Sequence, residues 1–487
     1  MSESPTFQPA KDHLSLGEAF FTPVEPAQFP QTILRYSNSR WAARIGLHGL
    51  SEAAWVSHFG RFEPLSGSLT KPIALKYHGH QFQHYNPDLG DGRGFLFAQM
   101  RDPVSGTLLD FGTKGSGQTP YSRAGDGRLT LKGGVREVLA TTRLEALGVN
   151  TSKTFAMVET GEALHRGDEP SPTRSAVMTR LSHGHIRIGS FQRPYFLQET
   201  ENLEALLEYA CRTYAPAIHK VAYEDEGGRG AADAAPLFLR WVARNCAHTV
   251  ADWFASGFVH GVLNTDNINI TGESFDYGPY RFLEKMDPNR VAAYFDHSGL
   301  YAFGRQPEAV YWNLQQLATV LVTMSDQDAI IEALKGYSDC LSDAVEDRLF
   351  RRLGLIASRQ PELDQPFLKN LLAILRTSAV PLDDTLHRAF GGREWPVGDE
   401  WADVRAQSRD FVPADADRLD HSYFQASSGC SLAYEEIEAL WSPIAERDDW
   451  SEFEKKLAQT EEMRTAYRFE PETADDGSHA LSRAGMG

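Results

Sequence analysis

The feature that most limits the fold is a change of local pattern near the middle of the chain. Between Lys71 and about Arg193, short β-like runs at 94–98 and 108–112 alternate with glycine clusters. One helix is predicted there, over 135–147, and Gly148 ends it. From Glu199 onward the spacing of apolar residues predicts helices near 202–216, 235–257, 310–324, 328–336 and 366–376. We therefore expect a sheet-rich half followed by a helical half.

A loop-rich stretch from His260 to about Pro307 interrupts the helical half and is rich in Asp and Asn. This layout predicts an α+β fold of the protein-kinase-like, two-lobed kind, with a sheet-rich N-lobe and a helical C-lobe. Four segments follow from it: an N-terminal extension (1–70), a nucleotide-binding N-lobe (71–198), a C-lobe with the catalytic loop (199–430) and a C-terminal extension (431–487). That extension holds a helical stretch over 434–464, and its polar segment from Glu470 to Gly487 is expected to be mobile.

Charge and cysteine content exclude several functional classes. The 487 residues include 48 Lys and Arg against 66 Asp and Glu, a net charge of −18, whereas a general nucleic-acid binder needs a basic surface. No apolar run approaches the ~20 residues that span a bilayer, and Met1 to Gly17 lacks the pattern of a secretory leader. The four cysteines are widely spaced and form no CxxC pair. We expect a cytoplasmic protein with reduced thiols, no nucleic-acid partner and no membrane span.

The clearest chemical signal lies in the loop after His260. Asn267 follows His260 at the spacing of the kinase catalytic loop HRDxxxxN, and Asp276-Tyr277-Gly278 stands where Asp-Phe-Gly would. Asn and Asp across a short connection supply the oxygen ligands that a divalent cation on nucleotide phosphates prefers. The position of the kinase base is occupied by Val262, and a carboxylate reappears at Asp266. Either the catalytic base has moved to Asp266, or Asp266 has a different task. The alternative to a catalytic loop is that the segment 264–269 is merely a polar turn.

Upstream residues fit a site for polyphosphate. Lys114 follows a strand-like run, and Glu137 lies on the predicted helix, as a phosphate-binding Lys and its partner would. Glycine-rich segments at 89–94 and 114–128 resemble loops whose N–H groups approach phosphates. Between Asp91 and Arg193 there are 14 Lys and Arg against 10 Asp and Glu, so this segment carries 14 − 10 = +4 within an acidic chain. Histidines at 78, 80, 84, 183 and 185 have spacings that can hold zinc, but a structural role is favoured for them.

With these motifs in place, the sequence resembles the selenoprotein O / YdiU family of kinase-like protein nucleotidyltransferases. Matching stretches occur in order from about 71 to 320: YHGHQF (77–82), LGDGR (89–93), KGSG (114–117), TPYSR (119–123), GDGR (125–128), RE (136–137), SHGHIRIG (182–189), HGVLNTDN (260–267), DYGP (276–279) and WNLQ (312–315). The resemblance implies that ATP binds in a flipped orientation. AMP, or UMP from UTP, would then be transferred to Ser, Thr or Tyr hydroxyls of proteins, and pyrophosphate would leave.

The resemblance also implies roles for individual residues. Asp266 would be the general base, and Asn267 and Asp276 would hold Mg²⁺ or Mn²⁺. The nucleotide would be bound by Gly90, Gly92, Arg93, Lys114, Asp126, Gly127, Arg180, Arg187 and Asp276, with Glu137 paired to Lys114. A flipped nucleotide moves the reacting phosphorus, which accounts for Val262 at the usual position of the base.

Departures from the family pattern lie at the C-terminal end and in the stretch from Arg290 to Gly299, which lacks a cysteine that many members of the family carry there. The Asn-Pro-x-x-x-x-Arg-Asn stretch is not visible, and 482–487 contains no cysteine, so a redox disulfide at the tail is not expected. Two alternatives remain open beside nucleotidyl transfer. One is a phosphotransferase of the same fold acting on protein or a small molecule, and the other is a nucleotide-binding pseudokinase that serves as a scaffold. The apparent metal ligands Asn267 and Asp276 count against the scaffold.

Overall fold

The computed structural model describes residues 5–123, 126–167 and 170–482. Its strands are β1 (Gln8–Ala10), β2 (Phe21–Pro23), β3 (Ile33–Ser37), β4 (Ile73–Leu75), β5 (Gly79–Gln81), β6 (His84–Asn86), β7 (Leu96–Arg101), β8 (Leu108–Lys114), β9 (Leu129–Thr130), β10 (Lys153–Leu164), β11 (Thr173–Ser182), β12 (Phe258–Val259) and β13 (Arg281–Phe282). Gly125, part of the second Gly-Asp-Gly-Arg tetrapeptide, and tail residues 483–487 lie outside the described residues.

The helices follow mostly after the sheet. They are α1 (Ser39–Arg44), α2 (Glu52–Gly60), α3 (Leu131–Ala146), α4 (Ile188–Phe196), α5 (Thr200–Tyr214), α6 (Pro216–His219), α7 (Ala231–Ala255), α8 (Gln306–Leu321), α9 (Gln327–Leu353), α10 (Pro361–Thr377), α11 (Leu382–Ala389), α12 (Ala402–Gln407), α13 (Ser422–Gln425), α14 (Tyr434–Arg447), α15 (Ser451–Tyr467) and α16 (Ser478–Ser482). Short 3-10 or π turns lie between several of them.

One large antiparallel sheet organises the first half of the chain. Its order is β2-β4-β7-β8-β11-β10-β3, with β1 paired to β7 and β9 paired to β11. Each residue of the central strand β8 is buried, which fits a strand covered on both faces. The first 70 residues are part of this sheet, because β1, β2 and β3 pair with β7, β4 and β10.

Helices cover the two faces of the sheet. Side chains alternate along β11, so Val177 joins Trp55 and Phe59 of α2 in one core cluster while Ala176 joins Val138 of α3 in another. Helix α3 starts four residues before the predicted 135, because the Thr130 hydroxyl caps it by accepting a hydrogen bond from the Gly133 amide. Gly148 has φ +76° and ends the helix, as predicted.

The helical half is built around α7 and α9, which pack against each other along their length. The predicted helix at 328–336 extends to Leu353, and the predicted stretch 434–464 is divided into α14 and α15 by Asp448, whose φ is +54°. Helix α15 returns to pack on α3. No helix in the described part of the chain is both long and apolar enough to cross a membrane.

The polar segment after Glu470 is held against α7 as far as Ser482, in contrast to the mobility that its composition predicts. The Trp241 indole donates to the Asp475 carbonyl at 3.1 Å, and Glu472 pairs with Arg244 at 2.9 Å and with Arg348 at 2.8 Å. Ala480 is buried. Glu472 of the polar segment thus pairs with individual arginines of α7 and α9, and these contacts favour docking of the tail.

Candidate active site

A cleft of about 630 Å³ lies between the large sheet and the loop that follows His260. That volume is in the usual range for a nucleotide-sized ligand. Among the predicted residues, those lining the cleft are Gly90, Gly92, Arg93, Lys114, Asp126, Arg180, Arg187, Asp266, Asn267 and Asp276. The structure therefore gathers residues that are up to 186 positions apart in the sequence, Gly90 and Asp276 being the extremes.

Two cations and two carboxylates form a network at the inner wall of the cleft. Lys114, the last residue of β8, places its Nζ 2.8 Å from Glu137 Oε2 and 2.9 Å from Asp276 Oδ1. Arg180 of β11 approaches the same two carboxylates, at 3.4 and 3.3 Å. The Glu137 side chain is only 1% exposed, so it lies behind Lys114 and does not line the cleft. The predicted Lys114–Glu137 pair is thus present in the structure.

Asp276 is kept ionised by this network. Burial alone would raise its pKa, but the adjacent cations Lys114 and Arg180 outweigh burial and hold the pKa well below its ordinary value. Its backbone is in the left-handed region, at φ +63°. The two hydrogen bonds from Lys114 and Arg180 both reach Oδ1, so Oδ2 is the oxygen that they leave to a ligand in the cleft.

The loop after His260 presents Asp266 and Asn267 on a 3-10 turn, Thr265–Asn267. The buried His260 ring donates from Nε2 to the Phe275 carbonyl at 2.8 Å, which joins this loop to the segment that carries Asp276. The side-chain amide of Asn267 donates from Nδ2 to the Val262 carbonyl at 3.0 Å, so Asn267 Oδ1 is turned away from that contact. Val262, at the position where a kinase has its base, therefore contributes its backbone carbonyl, which orients the Asn267 side chain.

Asp266 lies in a very different environment from Asp276. The residue is 8% exposed, and its Oδ1 is buried without a hydrogen-bond partner in the described structure. Burial raises the pKa of this carboxyl from 3.8 to about 6, although Arg187 opposes the rise. A carboxylate of this kind is still ionised at neutral pH and accepts a proton more readily than an exposed Asp does.

The glycine loop at 89–94 is fixed by close contact with the segment 119–122. The Thr119 hydroxyl donates to the Asp91 carbonyl and the Ser122 hydroxyl donates to the Gly92 carbonyl, both at 2.6 Å. A Cβ at Gly90 would lie 2.5 Å from the Tyr121 ring, and one at Gly92 would lie 2.5 Å from the Tyr121 carbonyl oxygen. Glycine is needed at both positions because the two segments approach so closely.

Arginines line the same wall, each close to an acidic partner. Arg187 NH2 is 3.4 Å from Asp91 Oδ1, and its guanidinium lies 4.3 Å from the centre of the Tyr77 ring. Arg93 Nε is 3.5 Å from Asp126 Oδ1 and its side chain is 61% exposed. Gly127, at φ +79°, turns the chain next to Gly117 and does not itself line the cleft. Both ion pairs are longer than the ~2.7–2.9 Å of a charge-assisted hydrogen bond, and Arg187 Nε is buried without a hydrogen-bond partner among the described residues. Both guanidinium groups therefore retain N–H donors for an anionic ligand.

Comparison with known proteins identifies the family. The family model described as protein adenylyltransferase SelO matches residues 5–390. The chain belongs to the SelO family. Three curated relatives carry the name protein nucleotidyltransferase YdiU. That of Synechocystis sp. is 41% identical over 473 residues, which cover 92% of this chain and 96% of the relative.

The other two relatives match this chain over a similar length. The protein of Trichodesmium erythraeum is 39% identical over 467 residues, covering 91% of this chain and 96% of the relative. That of Aeromonas salmonicida is 32% identical over 474 residues, covering 93% of each. Membership of the SelO family confirms the resemblance seen in the motifs and the enzyme class, so this chain is a protein nucleotidyltransferase.

The donor atoms of this SelO-family cleft fit a hard divalent cation. Asn267 Oδ1 and Asp276 Oδ2 are oxygens not taken up by the hydrogen bonds described above, and Mg²⁺ or Mn²⁺ commonly combines one or two such ligands with nucleotide phosphates and water. Among the described residues there is no cluster of three or more His, Cys, Asp or Glu.

Three of the histidines considered for zinc, His78, His80 and His185, have polar partners of their own. His78 Nδ1 is 2.8 Å from the Tyr85 hydroxyl, and His80 Nδ1 accepts from Gln192 Nε2 at 2.8 Å. His185 Nδ1 is 3.2 Å from Asp110 Oδ2. These contacts support the structural role that the sequence favoured.

Several residues of the cleft carried no role in the sequence analysis. Tyr434 and Glu438, on α14, line its outer wall although they lie beyond the matched residues 5–390. Glu438 Oε2 is 2.7 Å from Lys132 Nζ, and the Arg281 guanidinium lies 4.0 Å from the centre of the Tyr434 ring. Nothing local in the sequence links α14 to the cleft, because the contact depends on α15 packing back onto α3.

Proposed function

We propose that this cleft transfers AMP from ATP, or UMP from UTP, to Ser, Thr or Tyr hydroxyls of proteins and releases pyrophosphate. The observation that carries the proposal is the pair of unlike carboxylates in one cleft, Asp266 buried with an unpartnered oxygen and Asp276 held by two cations. The name that the relatives carry, protein nucleotidyltransferase, supports a nucleotidyl group and a protein acceptor.

The proposed mechanism assigns a task to each group. Asp266 accepts the proton of the acceptor hydroxyl, whose oxygen attacks the α-phosphorus, and the bond to the β,γ-pyrophosphate breaks. Arg93, Arg180, Arg187 and Lys114 compensate the charge of the triphosphate, and Glu137 fixes the position of Lys114. The amides of 90–92 and the turn at 126–127 complete the nucleotide site. A divalent cation held by Asn267 and Asp276 would neutralise charge on the phosphates.

We also propose that the chain has the two lobes of a protein kinase. The lobes would comprise 71–198 and 199–430. Residues 1–70, expected as an extension, add β1, β2 and β3 to the sheet of the first lobe, and 431–487 form the C-terminal extension. The antiparallel sheet with α3 beside it and the helices around α7 support this division, as does the cleft between them. A cytoplasmic location, where ATP is available, is part of the same proposal.

Labelled ATP tests the proposed reaction directly. Incubation of the purified protein and a divalent cation with ATP labelled at the α or the γ phosphate, in the presence of a protein lysate, should give protein labelled from α only. Asp276→Ala is the matched negative control. Label from γ alone would favour the phosphotransferase, and labelling from neither position, together with tight nucleotide binding, would favour the scaffold.

A further inference from the structure

Two large side chains stand in solvent at the mouth of the cleft. Tyr294 is 78% exposed and Phe295 is 44% exposed, and both line the cleft that holds Asp266. Their rings contact each other edge to face, with centroids 5.1 Å apart. Adjacent exposed aromatic side chains are costly to leave in water, and in a cleft that already has a reactive group they mark a contact surface. We call Phe82, Tyr294 and Phe295 the aromatic lip.

The aromatic lip is tied to the loop that carries Asp266. The Phe82 ring lies 5.7 Å from that of Phe295 and 4.9 Å from that of Tyr301. The Phe82 amide and the Tyr301 hydroxyl both donate to Asn264 Oδ1, at 3.0 and 2.9 Å. Asn264 lies two residues before Asp266, so the lip has a fixed position relative to the proposed base.

The turn behind the lip is also fixed. Asp296 accepts hydrogen bonds from the Leu300 amide at 2.9 Å and the Tyr301 amide at 2.8 Å, and it is 4% exposed. A buried carboxylate that binds two backbone amides fixes the turn 296–301, which directly follows Phe295. The lip is therefore a preorganised surface, and preorganisation lowers the entropy lost when a partner binds.

We propose that the aromatic lip binds an apolar side chain of the acceptor polypeptide, next to the hydroxyl that is modified. This inference rests on the proposed function and extends it to the acceptor. The nucleotide is held by the charged inner wall, whereas the lip is uncharged and lies at the mouth, where a macromolecular hydroxyl must enter to reach Asp266. The occupant is thus a protein segment with Leu, Phe or a similar residue flanking its Ser, Thr or Tyr.

Two matched pools of short synthetic peptides test this proposal. Both pools have a central Ser, Thr or Tyr, flanked by Leu and Phe in one and by Gln in the other, and kcat/KM is measured with ATP labelled at the α phosphate. The wild-type protein should favour the apolar pool by about tenfold, the effect of an anchoring contact of about 1.4 kcal/mol. Tyr294→Ala with Phe295→Ala should abolish that preference and leave ATP affinity within about twofold.

Controls separate the lip from the reaction itself. Tyr195→Ala removes a ring that is 42% exposed but does not line the cleft, so the preference should remain. A variant with Tyr294→Leu and Phe295→Leu should largely restore the preference for the apolar pool that the double alanine variant loses. The lip proposal is overturned if the wild-type protein shows no preference between the two pools, or if the double alanine variant keeps the preference. It is also overturned if the double alanine variant changes only the self-association of the protein. Failure of the wild-type protein to label either pool or any lysate protein from α overturns the proposed function instead.

Discussion

Replacement of Asp266 by Asn should remove activity and at the same time stabilise the protein. Burial raises the pKa of Asp266 from 3.8 to about 6, so ionisation of this group is disfavoured in the folded protein by about 3 kcal/mol. Asn has nearly the same shape and carries no charge, so the variant avoids this cost. We expect a gain of about 1–3 kcal/mol in the free energy of unfolding at pH 8. Turnover should fall by about 10²–10⁴, the usual contribution of a general base.

The stabilisation should depend on pH with a defined sign. The unfolded chain loses the Asp266 proton near pH 3.8, whereas the folded protein keeps it up to about pH 6. Between these values the folded state binds more protons, so the contribution of Asp266 to stability falls as the pH rises. Above about pH 6 the folded protein bears the full free-energy cost of ionising Asp266. At pH 5 it is about half of its value at pH 8, so the advantage of Asp266→Asn should be halved as well.

Urea unfolding with EDTA at pH 5 and pH 8 measures this effect in the metal-free protein. Asp276→Asn is the matched control with the opposite sign, because Asp276 is paired with Lys114 and Arg180 and its pKa is held below the ordinary value. Its neutralisation should destabilise the protein by about 1–3 kcal/mol. An Asp266→Asn variant that is no more stable than wild type at pH 8, or whose gain is equal at both pH values, would refute the reasoning.

Three further predictions concern the glycine loop, acid stability and the tail. Gly92→Ala should weaken ATP binding by at least about tenfold in calorimetry, because its Cβ would lie 2.5 Å from the Tyr121 carbonyl oxygen, whereas Gly278→Ala meets no atom within 4 Å and should bind normally. His13 is 2% exposed and burial lowers its pKa from 6.5 to about 4, so stability should fall as pH drops below 6.5. His13→Phe should reduce this loss by up to about 2 kcal/mol at pH 5 in urea unfolding, and an equal loss in both proteins would contradict the assignment. Glu472→Ala should expose 470–482 to limited proteolysis, whereas cleavage at the wild-type rate would show that its ion pairs do not hold the tail.

Local sequence pattern was enough to predict the elements with strong periodicity. Helices α5 and α7 and strand β8 appear within a few residues of their predicted positions because their apolar spacing and their end signals agree. The strands at 8–10, 21–23 and 33–37 were not predicted. Each is three to five residues long and gains its stability from partners far along the chain, such as β10 for β3. Non-local pairing leaves no periodic signal in so short a segment.

The same limit applies to the site. The motifs identified Lys114, Glu137 and Asp276, which the structure joins in one network, because their chemistry requires residues of these types at these spacings. The wall formed by Tyr434 and the docking of 470–482 escaped prediction because they depend on packing between distant helices. Composition alone favoured a mobile tail, since it cannot show that basic residues of α7 and α9 lie opposite the acidic ones.

The two aspartates of the cleft suggest why a nucleotidyltransferase can dispense with a carboxylate at position 262. Both are carboxyl groups at the edge of one cavity, yet Asp276 is surrounded by cations and Asp266 is buried with an unpartnered oxygen. Environments that move two pKa values in opposite directions separate a permanent anion from a proton acceptor. Asp276 is then suited to bind positive charge throughout the reaction, and Asp266 to take up one proton and release it. A carboxylate at 262 would add a third negative charge beside them, in a cleft that must also receive a triphosphate.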